Sequence, residues 1–132
     1  MDKRAYYKKM FFIGGIWNLA ASLSIWIMAL SGPAAYVLFG MGVPPTMFFF
    51  HAMIWFVVAF GVGYFIVSKD ITKNHGIALI GAFAKIAFFI DCIVTVALME
   101  AGPIIIMFGA VDLLFAVLYI EFLLWTKKGN AG

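Results

Sequence analysis

A chain of 132 residues that is 66% hydrophobic and 11% charged has too little charge to coat a water-facing surface, because soluble domains carry about 25% charged and about 45–50% apolar residues. The length fits one domain over residues 1–132, and the net charge of +3 is spread over short loops and tails, which argues for membrane topology and against a nucleic-acid partner. The one cysteine, Cys92, excludes an internal disulfide and a CxxC redox or zinc pair, and reads as a small buried hydrophobe.

A bilayer core about 30 Å thick needs roughly 20 apolar residues in helix, and four stretches of this chain reach that length. The first is expected over 9–31, after Lys3, Arg4, Lys8 and Lys9 and before Gly32-Pro33. Its apolar run of ~21 residues exceeds the roughly 7–15 of a signal-peptide core, so it reads as a retained helix. Gly14, Asn18 and Ser22 recur at every fourth position, a small and polar stripe suited to close helix approach, with Asn18 able to hydrogen-bond across the interface. The connection from Gly32 to Pro45 holds the apolar segment Ala34 to Phe39, expected as a short helix or re-entrant piece at the outer interface.

The second helix is expected over 46–68, with His51 near its outer end and Gly61 and Gly63 as close-packing points. The third is expected over 76–99 and contains Lys85 and Asp91. The fourth is expected over 103–126, starting at Pro103, a residue suited to the first helical turn; it contains Gly109, Asp112 and Glu121. The turns at Asp70 to Asn74 and Glu100 to Gly102 are tight, so neighbouring helices run antiparallel. The expected fold is therefore an all-α, integral membrane four-helix antiparallel bundle. Gly14 precedes Asn18 as Gly81 precedes Lys85, by four residues in each case, a faint echo of a duplicated helix hairpin.

Apart from Lys85, every Lys and Arg lies in the N-terminal tail, the loop with Lys69 and Lys73, or the C-terminal tail, and the other two loops have none. Four spans put those three places on one side, which the positive-inside rule assigns to the cytoplasm. Both termini are thus expected at the cytoplasmic face of the inner membrane. Trp26, Tyr36, Tyr64 and Trp125 near the span ends are expected in the interfacial aromatic belts.

A charge at mid-span costs about 2.5–3.5 kcal/mol on insertion scales and needs a reason to be there. Lys85 stands ~14 Å from the start of the third helix and Asp112 ~14 Å from the start of the fourth, at 1.5 Å per residue. The two helices run in opposite directions, so opposite charges share one depth, and a Lys85–Asp112 ion pair is expected. Such a pair serves either to fix helix register or to answer protons, ions or a polar ligand group. Asn18 is placed to complete this centre. Asp91, about 120° around the helix from Lys85, and His51 lie toward the outer end and could line an outer opening together. Glu121 faces away from Asp112 and is expected to meet Lys127, Lys128 or another subunit, while His75 and Glu100 are expected to be solvated in turns. No phosphate loop, G-x-S-x-G or H-E-x-x-H motif is present, and two separated ligands do not hold a metal. No cofactor, metal or catalytic residue is therefore expected.

Gly63-Tyr64, Ser68-Lys69-Asp70, Asn74-His75-Gly76, Gly81 with Lys85, and Asp112-Leu113-Leu114-Phe115 together resemble a widespread bacterial group of small four-helix, DoxX-like membrane proteins. Trp17-Asn18 and Val43-Pro44-Pro45 add to the likeness, which spans about Phe11 to Trp125. The resemblance implies the fold and topology above. It also implies an association with quinone-linked or redox membrane complexes, or the lipid and sterol binding of related four-helix folds.

The leading expectation is a small multi-pass protein whose ion-paired centre binds or moves a small polar or amphiphilic ligand, with lipid or quinone as candidates and Asn18, His51, Lys85, Asp91 and Asp112 as ligand-binding residues. The alternative is an accessory subunit of a larger membrane complex, respiratory complexes included, in which the ion pair is architecture. A membrane enzyme using Asp91 or His51 as general base ranks last. Membrane lipids, and either further copies of the chain or a larger assembly, are the expected partners.

Overall fold

A computed structural model describes residues 2–130; residues 1, 131 and 132 of the domain expected over 1–132 lie outside them. The regular elements of the described chain are all helices, in the order α1 (Lys3–Leu30), α2 (Ala34–Leu38), α3 (Phe48–Lys69), α4 (His75–Ala97) and α5 (Ile104–Trp125), closed by a wider helical turn over Thr126–Asn130. The four long helices are long and apolar enough to cross a membrane.

The first helix begins six residues earlier than the apolar run implies. Asp2 caps it, accepting a hydrogen bond from the Arg4 amide at 3.0 Å, and a carboxylate there also complements the helix dipole. The added turns are held by tertiary packing, because Tyr7, Met10 and Phe11 are buried. The helix stops where Gly32 adopts a φ of 137° and Pro33 follows. The expected short segment is present as α2, folded back so that Ala35 and Tyr36 pack with Ala29. After it, the Gly102 amide donates to the Phe39 carbonyl at 2.6 Å, which ties this loop to the α4–α5 turn.

At the opposite end, Asp70 builds the α3–α4 turn. Its Oδ1 accepts from the Thr72 hydroxyl at 2.6 Å and the Thr72 amide at 3.0 Å, and Lys73 lies 3.3 Å from its other oxygen. These bonds, those to Thr72 first, hold the Asp70 carboxyl down at about 2. Asn74 then takes the left-handed conformation, φ 61°, a position that asparagine tolerates better than most residues, and α4 starts at His75.

Two antiparallel hairpins make up the bundle: α1 with α3, and α4 with α5, each closely packed internally and meeting the other along thinner seams. They repeat one another. The separation of 67 residues between Asn18 and Lys85 also relates Phe11 to Ala78, Gly14 to Gly81 and Gly15 to Ala82, and all eight residues are buried. Along the second helices, Ile54, Gly61, Tyr64 and Val67 stand in the same register as Gly109, Ala116, Tyr119 and Phe122, again all buried. The faint echo of two matched positions in the sequence thus extends to four buried positions on each helix of the pair.

One half of the interior is aromatic. Phe11 stacks on Tyr119 with centroids 4.7 Å apart, Tyr119 packs on Tyr64 at 4.9 Å, and Tyr7 and Phe122 close the end. Tyr64 and Tyr36 are therefore core residues, not belt residues: Tyr64 is fully enclosed, and the Tyr36 hydroxyl is turned onto the Met47 sulfur at 3.1 Å. The rings fit because the facing helices present no side chain. A Cβ on Gly14 would collide with the Tyr119 hydroxyl and one on Gly81 with the Tyr64 hydroxyl.

Candidate functional site: the buried Lys85 centre

Lys85 extends from α4 between the hairpins and is 3% exposed. Its Nζ lies 2.6 Å from Asp112 Oδ1 on α5 and 3.0 Å from Asn18 Oδ1 on α1. The rings of Phe115 and Tyr64 approach the ammonium at 5.5 and 5.7 Å, within the range of cation–π attraction. An ammonium has three donors. Two are bonded here, and the aromatic faces flank the charge.

The acceptors are themselves held in place. Asn18 Nδ2 donates to the Val57 carbonyl of α3 at 3.3 Å, so one amide joins Lys85 on α4 to the backbone of α3. Ser22 donates back to the Asn18 carbonyl at 2.6 Å. Trp17 Nε1 donates to the same Asp112 oxygen at 3.1 Å. Trp17 is a member of the centre that its hydropathy did not reveal; the available signal was an indole N–H beside Asn18, at a depth where it must find an acceptor. Asp112 Oδ2 receives no hydrogen bond among the described residues, and the aspartate side chain is 17% exposed.

The structure thus joins three of the sequence-derived site residues, Asn18, Lys85 and Asp112, and does not join the other two to them or to each other. His51 Nδ1 accepts from Trp26 Nε1 at 3.0 Å, inside an aromatic group with Trp26 and Phe50. Asp91 is exposed on the outward face of α4. It sits in a shallow hollow of about 400 Å³ lined by Phe83, Ile86, Ala87, Ile90 and Val94. Among the described residues no group bonds its carboxylate, and Thr95 reaches only its backbone carbonyl. The reason is angular: about 120° around α4 from the buried Lys85 lies outside the packed face. The shared Asp91–His51 layer is therefore not formed.

Two other expectations are corrected. Glu121 meets neither Lys127 nor Lys128; its Oε1 accepts from the Tyr7 hydroxyl at 2.9 Å, because α1 extends far enough to bring Tyr7 alongside α5. His75 is half-buried, with Nε2 2.8 Å from the Ile71 carbonyl and its ring edge-on to Phe122 at 5.5 Å.

The Tyr119 hydroxyl is buried, with no hydrogen-bond partner among the described residues. Among the described residues no cluster of three or more His, Cys, Asp or Glu could hold a metal ion. No family model, characterised protein or solved structure matches the chain.

Proposed function

We propose that this chain is an accessory subunit of a membrane assembly, spanning the cytoplasmic membrane four times with both ends inside. In this reading the Lys85 centre is an internal lock, and the outward face of α4 is where the protein acts. The supporting observation is a contrast between two charged groups. Lys85, the costly charge of the interior, is covered and bonded to Asp112 and Asn18. Among the described residues Asp91 has no partner for its carboxylate and stands on an apolar helix face, about 9 Å inside the end of α4 at 1.5 Å per residue. A carboxylate left there against acyl chains carries an insertion cost, so its natural neighbour is a protein helix that offers a cation or an N–H or O–H donor. The basic residues gathered at the start of α1, the α3–α4 turn and the end of α5 support the orientation. The resemblance to DoxX-like proteins points to respiratory or redox complexes as the first place to seek the partner.

A photo-crosslinker at position 90 or 94 tests this in the native membrane. Discrete crosslinked species are expected from those positions and not from Leu114 on the outward face of α5, and Asp91→Leu should abolish them. Crosslinking to lipid alone from all three positions contradicts the reading.

The partial exposure of Asp112 and its free second oxygen favour a second reading, in which the centre holds the polar head of an amphiphile, lipid or quinol, entering from the side. Lys85→Met and Asp112→Asn would then lose ligand while retaining the fold.

A further inference from the structure

At the end of the bundle that carries the basic residues, the α1–α3 hairpin has a groove unlike anything in its repeat. Phe12 on α1 and Phe65 on α3 face each other with ring centroids 5.3 Å apart. Together with Ser68 and Lys69 they line a hollow of about 360 Å³. Phe65 can lie this low because Gly15 beneath it has no side chain; a Cβ there would stand 2.8 Å from the ring. Ser68 is fixed by donating to the Lys8 carbonyl at 2.8 Å, which pins the two helices together at this level.

The lysines are placed by helical arithmetic. Lys8 precedes Phe12 by four residues on α1, and Lys69 follows Phe65 by four on α3. Residues four apart share a helix face, and the two helices are antiparallel. Each lysine therefore lies one turn beyond its phenylalanine toward the same end of the bundle, and both are exposed. An apolar floor one turn deep is thus overhung by two cations. In the repeated hairpin the corresponding positions are His75, Leu79, Ile120 and Leu124, with no lysine at either place. The charged rim belongs to one hairpin only.

We infer that this groove is a site for one phospholipid with an anionic headgroup, its phosphate between Lys8 and Lys69 and its first acyl methylenes on Phe12 and Phe65. The inference rests on the membrane-spanning reading, which places Lys8 and Lys69 at headgroup level and the phenylalanines in the hydrocarbon. Charge complementarity selects the ligand: two ammonium groups match a phosphodiester bearing net negative charge. A zwitterionic lipid would bring its own cation to a rim that is already positive.

The test uses the full chain reconstituted in vesicles of phosphatidylcholine with a minority of phosphatidylglycerol, with retained lipid read by native mass spectrometry. The wild type is expected to retain one phosphatidylglycerol in preference to phosphatidylcholine. Lys8→Gln and Lys69→Gln should each lower that preference about fivefold, the share one lysine supplies at an anionic surface. Lys127→Gln with Lys128→Gln, at the same end but away from the groove, should leave it unchanged. An equal loss in that control would show general attraction to the charged end and would overturn the site, as would a wild type that retains both lipids alike. Washing the same vesicles in alkaline carbonate separates the two ideas. A chain that stays in the bilayer without lipid preference removes only the groove site, whereas a chain that washes off removes the membrane reading beneath it.

Discussion

Asn18 and Lys85 hold corresponding positions in the two repeated hairpins, and their side chains meet at 3.0 Å across the middle of the bundle. The same correspondence pairs Val57 with Asp112: Asn18 bonds the Val57 carbonyl where Lys85 bonds the Asp112 carboxylate. One hairpin makes its central contact with neutral groups, the other with charges. The charged version is oriented further by Trp17, which contacts the shared Asp112 oxygen from the first hairpin.

Removing one member of this pair leaves the other buried and uncompensated. Lys85→Met is expected to destabilise the protein by about 3–5 kcal/mol, the range for breaking a buried ion pair, and equilibrium unfolding in mixed micelles measures it. A change below about 1 kcal/mol would show that Lys85 is solvated in the folded state.

The Tyr119 hydroxyl is buried without a partner among the described residues, and an unsatisfied buried group of this kind costs about 1–3 kcal/mol. Tyr119→Phe keeps the ring that stacks on Phe11 and removes the cost. It should be neutral or stabilising in the same unfolding measurement. A loss above about 1 kcal/mol would reveal a hydrogen bond made by that hydroxyl in the membrane.

Gly14 and Gly81 mark the points where tyrosine hydroxyls press on backbone. Gly81→Val is expected to displace Tyr64 from beneath the ammonium and to cost at least the 1–3 kcal/mol typical of overpacking. Gly76→Val, where nothing lies within 4 Å, is the matched control and should be neutral or stabilising by a few tenths of a kcal/mol, because valine is the better helix former. Similar losses at both positions would contradict the packing described.

The Asp70 carboxyl sits at about 2, below its ordinary 3.8, chiefly through the Thr72 hydroxyl. A value depressed in the folded state gives the α3–α4 turn support that is complete above the unfolded value, near pH 4, and disappears as pH falls through about 2. Carboxyl-carbon NMR titration should place the Asp70 midpoint near the lower figure and show Thr72→Val raising it. A midpoint near 3.8 in the wild type would mean that the turn is open in solution.

The long apolar runs and their tight turns made the four main helices legible, because spans of that length have one economical backbone solution away from water. The Lys85–Asp112 pair was legible for a related reason: two costly charges fell at equal depth on adjacent antiparallel helices. What sequence could not supply was rotation and distance beyond the local helix. Tyr64 looked interfacial by its place in the span, yet it points inward over Gly81. Asp91 and His51 both lie toward the outer end, but helix rotation turns Asp91 outward while His51 meets Trp26. Hydropathy alone places the start of α1 too late because Lys3 to Lys9 mask the helix, although Asp2 caps it and Tyr7 anchors it. The repeat stayed faint because glycines, aromatics and aliphatics exchange freely across it, and only burial exposes the match.

A double-mutant cycle between Lys85→Met and Asp112→Leu addresses the internal lock most directly. If the two charges stabilise the bundle through each other, the double variant will be less destabilised than the sum of the single ones, with a coupling of about 2 kcal/mol or more. Single effects that simply add would contradict the lock and leave the centre without its structural role.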